Sequence, residues 1–359
     1  MSLRAKRSHL DNNPLKEDLD HILAHTKGLW EELRGKRVFI TGGTGFFGCW
    51  LLESFAWANE KLGLNASMLV LTRNLEAFKK KVPHLTGQPS IAFHIGDVRS
   101  FDFPQGEFPY IIHAAASLSS NPNGEDSLQI FDTIVDGTRH TLEFAKRCGV
   151  KKFLLTSSGA VYGKQPPEIT HIPEDYQGAP DPTDWHSAYG EGKRVAEHLC
   201  ILNAKQYGFE TKIARCFAFV GPYQPLNVQW AIGNFIRDGL NGSPILVKGD
   251  GTPCRSYLYA ADLIIFLWTI LFKGESCLPY NVGSDLEINI QSLAEIVSSV
   301  FEMKKNVVIS KKHAIMTKVD RYVPSTKRAQ EKLDLKQEID LQDAIKRTIK
   351  YIKFKEEKR

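Results

Sequence analysis

Residues 37 to 48 read RVFITGGTGFFG, a short β-branched run that breaks into glycines and leads directly into an apolar stretch from Phe46 to about Leu62. A strand that turns through glycines into a helix is the opening half of a βαβ unit, and it commits the next strand to lie parallel to the first. The alternation then recurs. Apolar runs follow at 67–73 (SMLVLTR), 91–97 (IAFHIGD), 110–116 (YIIHAAA), 152–158 (KFLLTSS) and 211–217 (TKIARCF), with helical patterns around 128–148 and 188–207. Nearly continuous apolar strands separated by helices require a sheet buried on both faces, so the expected class is α/β with a doubly wound parallel sheet. No fixed-period repeat is present, which argues against a solenoid.

A chain of 359 residues has room for this sheet and a satellite lobe. The predicted organisation is a helical extension over 1–35, a dinucleotide-binding domain carrying the catalytic residues over 36–221, and a smaller, mainly substrate-binding lobe over 222–359. Some late segments are expected to return to the main domain. In the extension, Leu15, Leu19, Ile22, Leu23, Leu29 and Leu33 fall at roughly helical spacing behind Pro14, which predicts a helix across 14–34. The first dozen residues read as a loose arm.

The charge balance of +5 is too mild to point to nucleic acid. The six cysteines include no C-x-x-C pair and no metal-ligand spacing, so they read as reduced thiols of a cytoplasmic protein, and no metal is expected. The apolar stretch LIIFLWTILF at 263–272 is about half the length needed to cross a bilayer and predicts a buried helix.

Gly42, Gly45 and Gly48 sit directly after the first strand. Glycine there permits the tight turn and lets backbone N–H groups approach a pyrophosphate, while the helix N-terminus adds its positive dipole end. Phe46 and Phe47 open that helix and are placed at the same cofactor site. At the end of the second strand an acid would bind a ribose 2′-hydroxyl and an arginine would accommodate a 2′-phosphate. Thr72 occupies the place of the acid and Arg73 follows it, which favours NADP, with NAD as the alternative. Asp97, with Val98 beside it, is placed to meet an adenine amino group or to cap the strand end.

Tyr189 and Lys193 are spaced to share a helix face. An unperturbed tyrosine is a poor base at neutral pH, and an adjacent ammonium stabilises its phenolate. The pair can therefore shuttle a proton. Its weight comes from company: the glycine loop upstream and the strand end TSSGAVYG at 156–163.

In this order TGGTGFFG, GDVR, HAAAS, TSSGAVYG, YGEGK, GPY, RSYLYAADL and YNVGS resemble the extended short-chain dehydrogenase/reductases, in the NAD-dependent epimerase/dehydratase group that acts on nucleotide sugars. The resemblance runs from about Lys36 to about Lys350 and implies a Rossmann-type domain. It implies that Tyr189 is the acid/base, that Lys193 binds the nicotinamide ribose and lowers the tyrosine's pKa, and that Ser158 binds the reacting oxygen. It places Ala115 and Ala116 beside the cofactor, and Ser117 and Arg255 at the substrate, Arg255 holding a phosphate; Asn227, in the polar loop that follows GPY, is a further candidate for the substrate. A structural salt bridge from Arg255, to Asp262, is the competing reading. His113 reads as a packed strand-end residue. The helices around 128–148 and 188–207 are those through which many relatives form homodimers.

Where sugar dehydratases of this group carry Asp and Glu, this chain has Gly159 and Ala160. Elimination needs an acid and a base within reach of the sugar, so dehydratase and decarboxylase chemistry are disfavoured. Hydride and proton exchange at sugar C4 remains: reduction of a 4-keto sugar with NADPH, or C4 epimerisation with a retained NAD. A non-sugar alcohol substrate and a non-catalytic cofactor sensor are the more distant readings. Ala218 and Ile134 stand where asparagines are common, and Gln224, Asn227 and Gln229 are candidate substitutes.

Overall fold

The structure is a computed structural model that describes residues 13–116, 127–227, 230–301, 307–311 and 319–358. The elements of the first half are helix α1 (Lys16–His25), strand β1 (Arg37–Thr41), α2 (Phe46–Leu62), β2 (Ser67–Thr72), α3 (Leu75–Lys81), α4 (Pro83–Thr86), β3 (Ile91–Ile95), β4 (Tyr110–His113), α5 (Ser127–Arg147) and β5 (Lys152–Ser158). Then follow α6 (Ala188–Tyr207), β6 (Glu210–Cys216), β7 (Phe219–Val220), α7 (Ala231–Leu240), β8 (Ile245–Val247), β9 (Cys254–Arg255), β10 (Leu258–Tyr259) and α8 (Ala260–Lys273). The chain closes with β11 (Pro279–Val282), β12 (Ile288–Asn289), α9 (Ile290–Val300), β13 (Val307–Ile309), β14 (Arg321–Tyr322), α10 (Lys327–Leu333) and α11 (Leu341–Glu357).

Seven of the described strands form one sheet in the order β11-β6-β5-β4-β1-β2-β3, and every pairing in it is parallel. The strand order reverses between β1 and β4. In a doubly wound sheet that reversal opens a crevice at the carboxyl ends of the two strands, where ligands bind. Thr41 at the end of β1 is in register with His113 at the end of β4, and their side chains meet at 2.8 Å. The expected runs thus became β1 to β6. The edge strand β11 is contributed by the segment after 222, beside β6.

Two cores cover the faces of the sheet. On one, α5, through Phe144, and α6 pack over Phe39, Phe108 and Phe153; on the other, α2 and α8 pack with α1 outside them. Every residue of α8 from Ala260 to Phe272 is buried, which accounts for a helix apolar on all sides. Its one carboxylate, Asp262, accepts the backbone N–H groups of Glu338 and Ile339 at 3.0 and 2.9 Å. Among the described residues, no helix is long and apolar enough to cross a membrane. All six cysteines are free thiols. The short strands β8, β9, β12, β13 and β14, with α7 and α9, form the smaller lobe.

The predicted helix over 14–34 is shorter than the periodicity suggests. It ends at His25, Gly28 takes a left-handed φ of 86°, and Trp30–Leu33 forms a separate 3₁₀ turn. The break has a cause: Thr26 turns its hydroxyl back to Ile22 O at 2.6 Å and accepts the indole N–H of Trp30 at 2.8 Å. That bond seats the Trp30 ring against Trp268 of α8, with centroids 4.7 Å apart. The extension is therefore part of the core. Trp30→Ala should cost about 3–5 kcal/mol of stability, as expected for truncating a fully buried aromatic residue. Urea denaturation measures it, and a loss below about 1 kcal/mol would show that the extension is dispensable.

Candidate active site

The glycine loop is built by close approaches that no side chain could share. Gly42 has a φ of 71°, and a β-carbon on it would lie 2.4 Å from the carbonyl carbon and oxygen of Ala114. One on Gly48 would lie 2.3 Å from the carbonyl carbon of Gly43. Gly45 is the N-cap of α2 and no side chain caps that helix, so its first N–H groups are left facing the crevice. A pyrophosphate fits this cradle, since a long helix presents unsatisfied donors and its positive end at the mouth of a glycine turn.

Beside the loop lies a cleft of about 280 Å³ lined by Gly42, Gly45, Thr72, Arg73, Asp97 and Val98, with Ala115 and Ala116 on its far wall. Thr72 is buried and Arg73 is exposed at the rim, with no acid between them. Asp97 accepts the backbone N–H of Arg99 at 3.0 Å and its guanidinium at 2.8 Å, and this pairing holds its carboxyl below the usual range. It is thus a strand-end turn residue that also faces the cleft. Val98 packs so tightly on α5 that a β-carbon at Gly137 would meet it at 2.9 Å. Phe46 and Phe47 are half-buried, and Phe47 meets Phe219 edge to face at 5.2 Å, which joins the loop to the segment leading into the lobe.

Across the crevice, β5 ends at Ser158, which accepts the backbone N–H of Ala160 at 3.1 Å and so caps a 3₁₀ turn over Gly159–Tyr162. Tyr189 and Lys193 stand one turn apart at the start of α6, with the Tyr189 side chain beside Ser158. Lys193 is buried; its Nζ donates to Thr156 O at 2.7 Å and lies 5.9 Å from the centroid of the Tyr189 ring. Burial pushes the tyrosine's pKa up to about 12 and the lysine's down to about 8. The tyrosine therefore holds a proton to give, and the lysine is still mainly charged at neutral pH. The arrangement can donate a proton to an oxygen held at Ser158 and stabilise the phenolate that remains.

His113 is buried, bonded to Thr41 and Thr138, and driven down to about 3 by burial, so it is a neutral packing residue. Arg255 is half-buried in β9 and pairs with Asp320 at 2.8 Å. The expected alternative partner, Asp262, is instead buried in α8 and occupied by backbone N–H groups, because α8 turns it toward 338–339. Gln224 is half-buried and donates to Phe219 O at 3.1 Å, while Asn227 is exposed. Ala218 is half-buried and Ile134 is buried. Ser117 and Gln229 lie outside the described residues.

Sequence reasoning missed two groups. Glu197 continues the face of Tyr189 and Lys193 by one more turn, accepts from Ser157 at 2.5 Å and pairs with Arg215 at 2.7 Å. Its spacing was a readable signal. Tyr322 of β14 brings its hydroxyl to 2.7 Å from where a β-carbon of Gly159 would stand, and nothing local in the sequence announces it.

The profile of the NAD dependent epimerase/dehydratase family matches residues 38–283. UDP-glucuronic acid decarboxylase 6 of Arabidopsis thaliana is 32% identical over 266 residues, 74% of this chain and 74% of that protein. UDP-glucuronic acid decarboxylase 1 of Danio rerio is 29% identical over 88% of this chain and 72% of its own. The fold is similar to UDP-glucose 4-epimerase of Thermotoga maritima, with TM-score 0.74, 21% identity, and 89% of this chain and 99% of that one covered. It is also similar to dTDP-glucose 4,6-dehydratase of Bacillus anthracis, with TM-score 0.73, 20% identity, and 90% and 98% covered. The chain belongs to the NAD-dependent epimerase/dehydratase family, and it is an enzyme of the extended short-chain dehydrogenase/reductase type that uses a nicotinamide cofactor.

Gly42→Ala should weaken dinucleotide binding at least about tenfold, because the new methyl group must displace the Ala114 backbone and adopt a left-handed conformation. Calorimetric titration with the oxidised dinucleotide measures this. Unchanged affinity would mean that the cofactor does not use this loop.

Proposed function

We propose that the protein reduces the 4-keto group of a nucleotide sugar with NADPH. The observation that carries this reading is the make-up of the crevice: a Ser158, Tyr189 and Lys193 constellation in which positions 159 and 160 offer glycine and alanine, with no carboxylate. Chemistry at a single carbon needs only a hydride and a proton. A bound nicotinamide supplies the hydride to C4. Ser158 and Tyr189 hold the C4 oxygen, Tyr189 gives it a proton, and Lys193 stabilises the resulting phenolate. Arg255 is assigned to a phosphate of the nucleotide, for which its planar fork is suited.

Thr72 and Arg73 support NADP over NAD, since an arginine at this rim offers a 2′-phosphate a charge-assisted bond and Thr72 stands where an acid would bind the 2′-hydroxyl. Ala115, Ala116, Asp97 and Val98 complete the adenosine side of the site. A homodimer through α5 and α6 is part of the reading, because Leu128, Leu202 and Tyr207 are exposed on those helices.

The curated relatives favour a second reading. A uronic acid oxidised at C4 is a β-keto acid, which can lose its carboxylate once the ketone oxygen is held by Ser158 and Tyr189. The deciding assay offers the full chain NADPH with UDP- and dTDP-linked 4-keto-6-deoxy sugars, and in parallel UDP-glucuronic acid or UDP-glucose with NAD. Consumption of NADPH by a keto sugar supports the reductase. Release of carbon dioxide would replace it with decarboxylation, and interconversion of UDP-hexoses without net oxidation with epimerisation.

Two variants test the assigned residues. Tyr189→Phe should lower turnover by about 10²-fold or more, as for loss of a general acid, while cofactor binding is kept. Arg73→Ala should weaken NADP binding about tenfold and leave NAD binding unchanged, as for loss of one charged bond to phosphate; equal effects on both would remove the basis for NADP.

A further inference from the structure

Phe47, Trp50 and Glu53 are spaced three apart on α2, the helix whose first turn faces the dinucleotide cleft, and all three touch one short segment of the chain. Phe47 meets Phe219 with centroids 5.2 Å apart, and the Trp50 indole donates to Pro222 O at 2.8 Å. The Glu53 carboxylate accepts the Tyr223 hydroxyl and lies 2.6 Å from Nε2 of His84 in α4. Glu53 is buried, and a buried carboxylate is tolerated only with such partners. The chemistry assigned to Tyr189 makes no use of it.

The backbone at Tyr223 gives that carboxylate a task. Gln224 N–H closes a turn on Gly221 O at 3.2 Å, which makes Pro222 and Tyr223 its central residues. Tyr223 has a φ of 72°. A left-handed second central residue behind a proline defines a type II turn, which calls for glycine or asparagine there. The other non-glycine residues with positive φ among the described residues are Asn65, Cys277 and Asp334, none of which carries a ring. A bulky side chain in this region persists only where its surroundings over-determine it. Here the ring meets Trp50 and Tyr351 edge to face, with centroids 6.4 and 5.2 Å apart, and the hydroxyl is bonded to Glu53. Burial, with the Glu53 charge beside it, raises the Tyr223 pKa and keeps the phenol a donor.

The turn is joined to the substrate side of the molecule at both ends. Just before it, Phe219 and Val220 of β7 pair with Leu258 and Tyr259 of β10, and Leu258 N donates to Ala218 O at 3.0 Å. β10 follows closely on Arg255 of β9. Just after it comes the polar stretch that holds Gln224 and Asn227. The segment 219–224 therefore lies between the cofactor helix and the residues assigned to the nucleotide.

We propose that Tyr223 is a positioning residue for the nucleotide sugar: fastened to Glu53 of α2, it holds the 221–224 turn in its left-handed form and so sets Arg255 and the stretch after Gln224 for the nucleotide. This rests on the reading of the substrate as a nucleotide sugar. The substrate side is thereby held in register with the helix that receives the cofactor.

The test compares two variants of the full chain saturated with NAD or NADP, whichever binds. The probe is UDP or dTDP, whichever the wild-type chain binds, in calorimetric titration, with urea denaturation alongside. Tyr223→Phe keeps the ring but loses the bond to Glu53, and phenylalanine has no preference of its own for a left-handed φ. Its affinity for the probe should fall about tenfold, the equivalent of one hydrogen bond to a charged group, because only molecules that keep the turn bind. Tyr223→Gly loses the ring as well and should be the less stable of the two in urea. Glycine adopts the turn unaided, however, so this variant should bind the probe several-fold more tightly than Tyr223→Phe. A structural role alone would make affinity follow stability. Affinity unchanged in Tyr223→Phe, or no better in Tyr223→Gly than in Tyr223→Phe, overturns the proposal. A wild-type chain that binds neither UDP nor dTDP overturns instead the nucleotide-sugar reading on which it stands.

Discussion

Three successive residues at the end of β5 are tied to three successive turns of α6. Tyr189 meets Ser158, Lys193 donates to Thr156 O at 2.7 Å, and Glu197 accepts from Ser157 at 2.5 Å. Because residues four apart share a helix face, a slip of α6 by one position would break all three together. The reactive groups therefore stand on a strand and a helix packed against each other, which holds them more closely than loops could. The same packing sets their chemistry: burial lowers the lysine's pKa and raises the tyrosine's. Arg215 occupies the Glu197 carboxylate, so the third member of the face serves the scaffold.

A buried polar network continues this tie into the chain's second half. Arg215 donates to the Tyr162 hydroxyl at 2.9 Å, Tyr162 donates to Asn281 Oδ1 at 2.8 Å, and Asn281 N donates to Glu174 at 2.9 Å. The Asn281 amide then reaches Ile172 O and Ser325 O at 2.9 and 3.1 Å. Each of these groups finds a partner, which is what makes burying them tolerable. The network links β6 and β11 to the segment that follows Tyr322. The position of that tyrosine is thus inherited from the sheet, although it arrives through the lobe.

Several elements could be read from the chain because their signals are local. Gly42, Gly45 and Gly48 stand where a strand meets a helix, and the structure shows the close backbone approaches that demand them. The runs that became β1 to β6 are apolar on both faces, and the spacing of Tyr189 and Lys193 announces a shared helix face. The helical reading of 14–34 went too far because periodicity does not register a threonine that turns back on its own helix to hold a tryptophan. The alternative reading of Arg255, a salt bridge, pointed to Asp262, a nearby residue in the chain, whereas strand pairing delivers Asp320.

By itself, then, the sequence determined the order of strands and helices, the phosphate loop and the pairing of Tyr189 with Lys193, since each depends on residues within a few turns of one another. Only the tertiary structure decided that β11 closes the sheet beside β6, that Trp30 belongs to the core of α8, and that Tyr322 fills the space left by Gly159. Those outcomes depend on which surfaces are buried together across long stretches of chain, and burial follows shape and hydrogen-bond satisfaction in three dimensions, which no local pattern encodes.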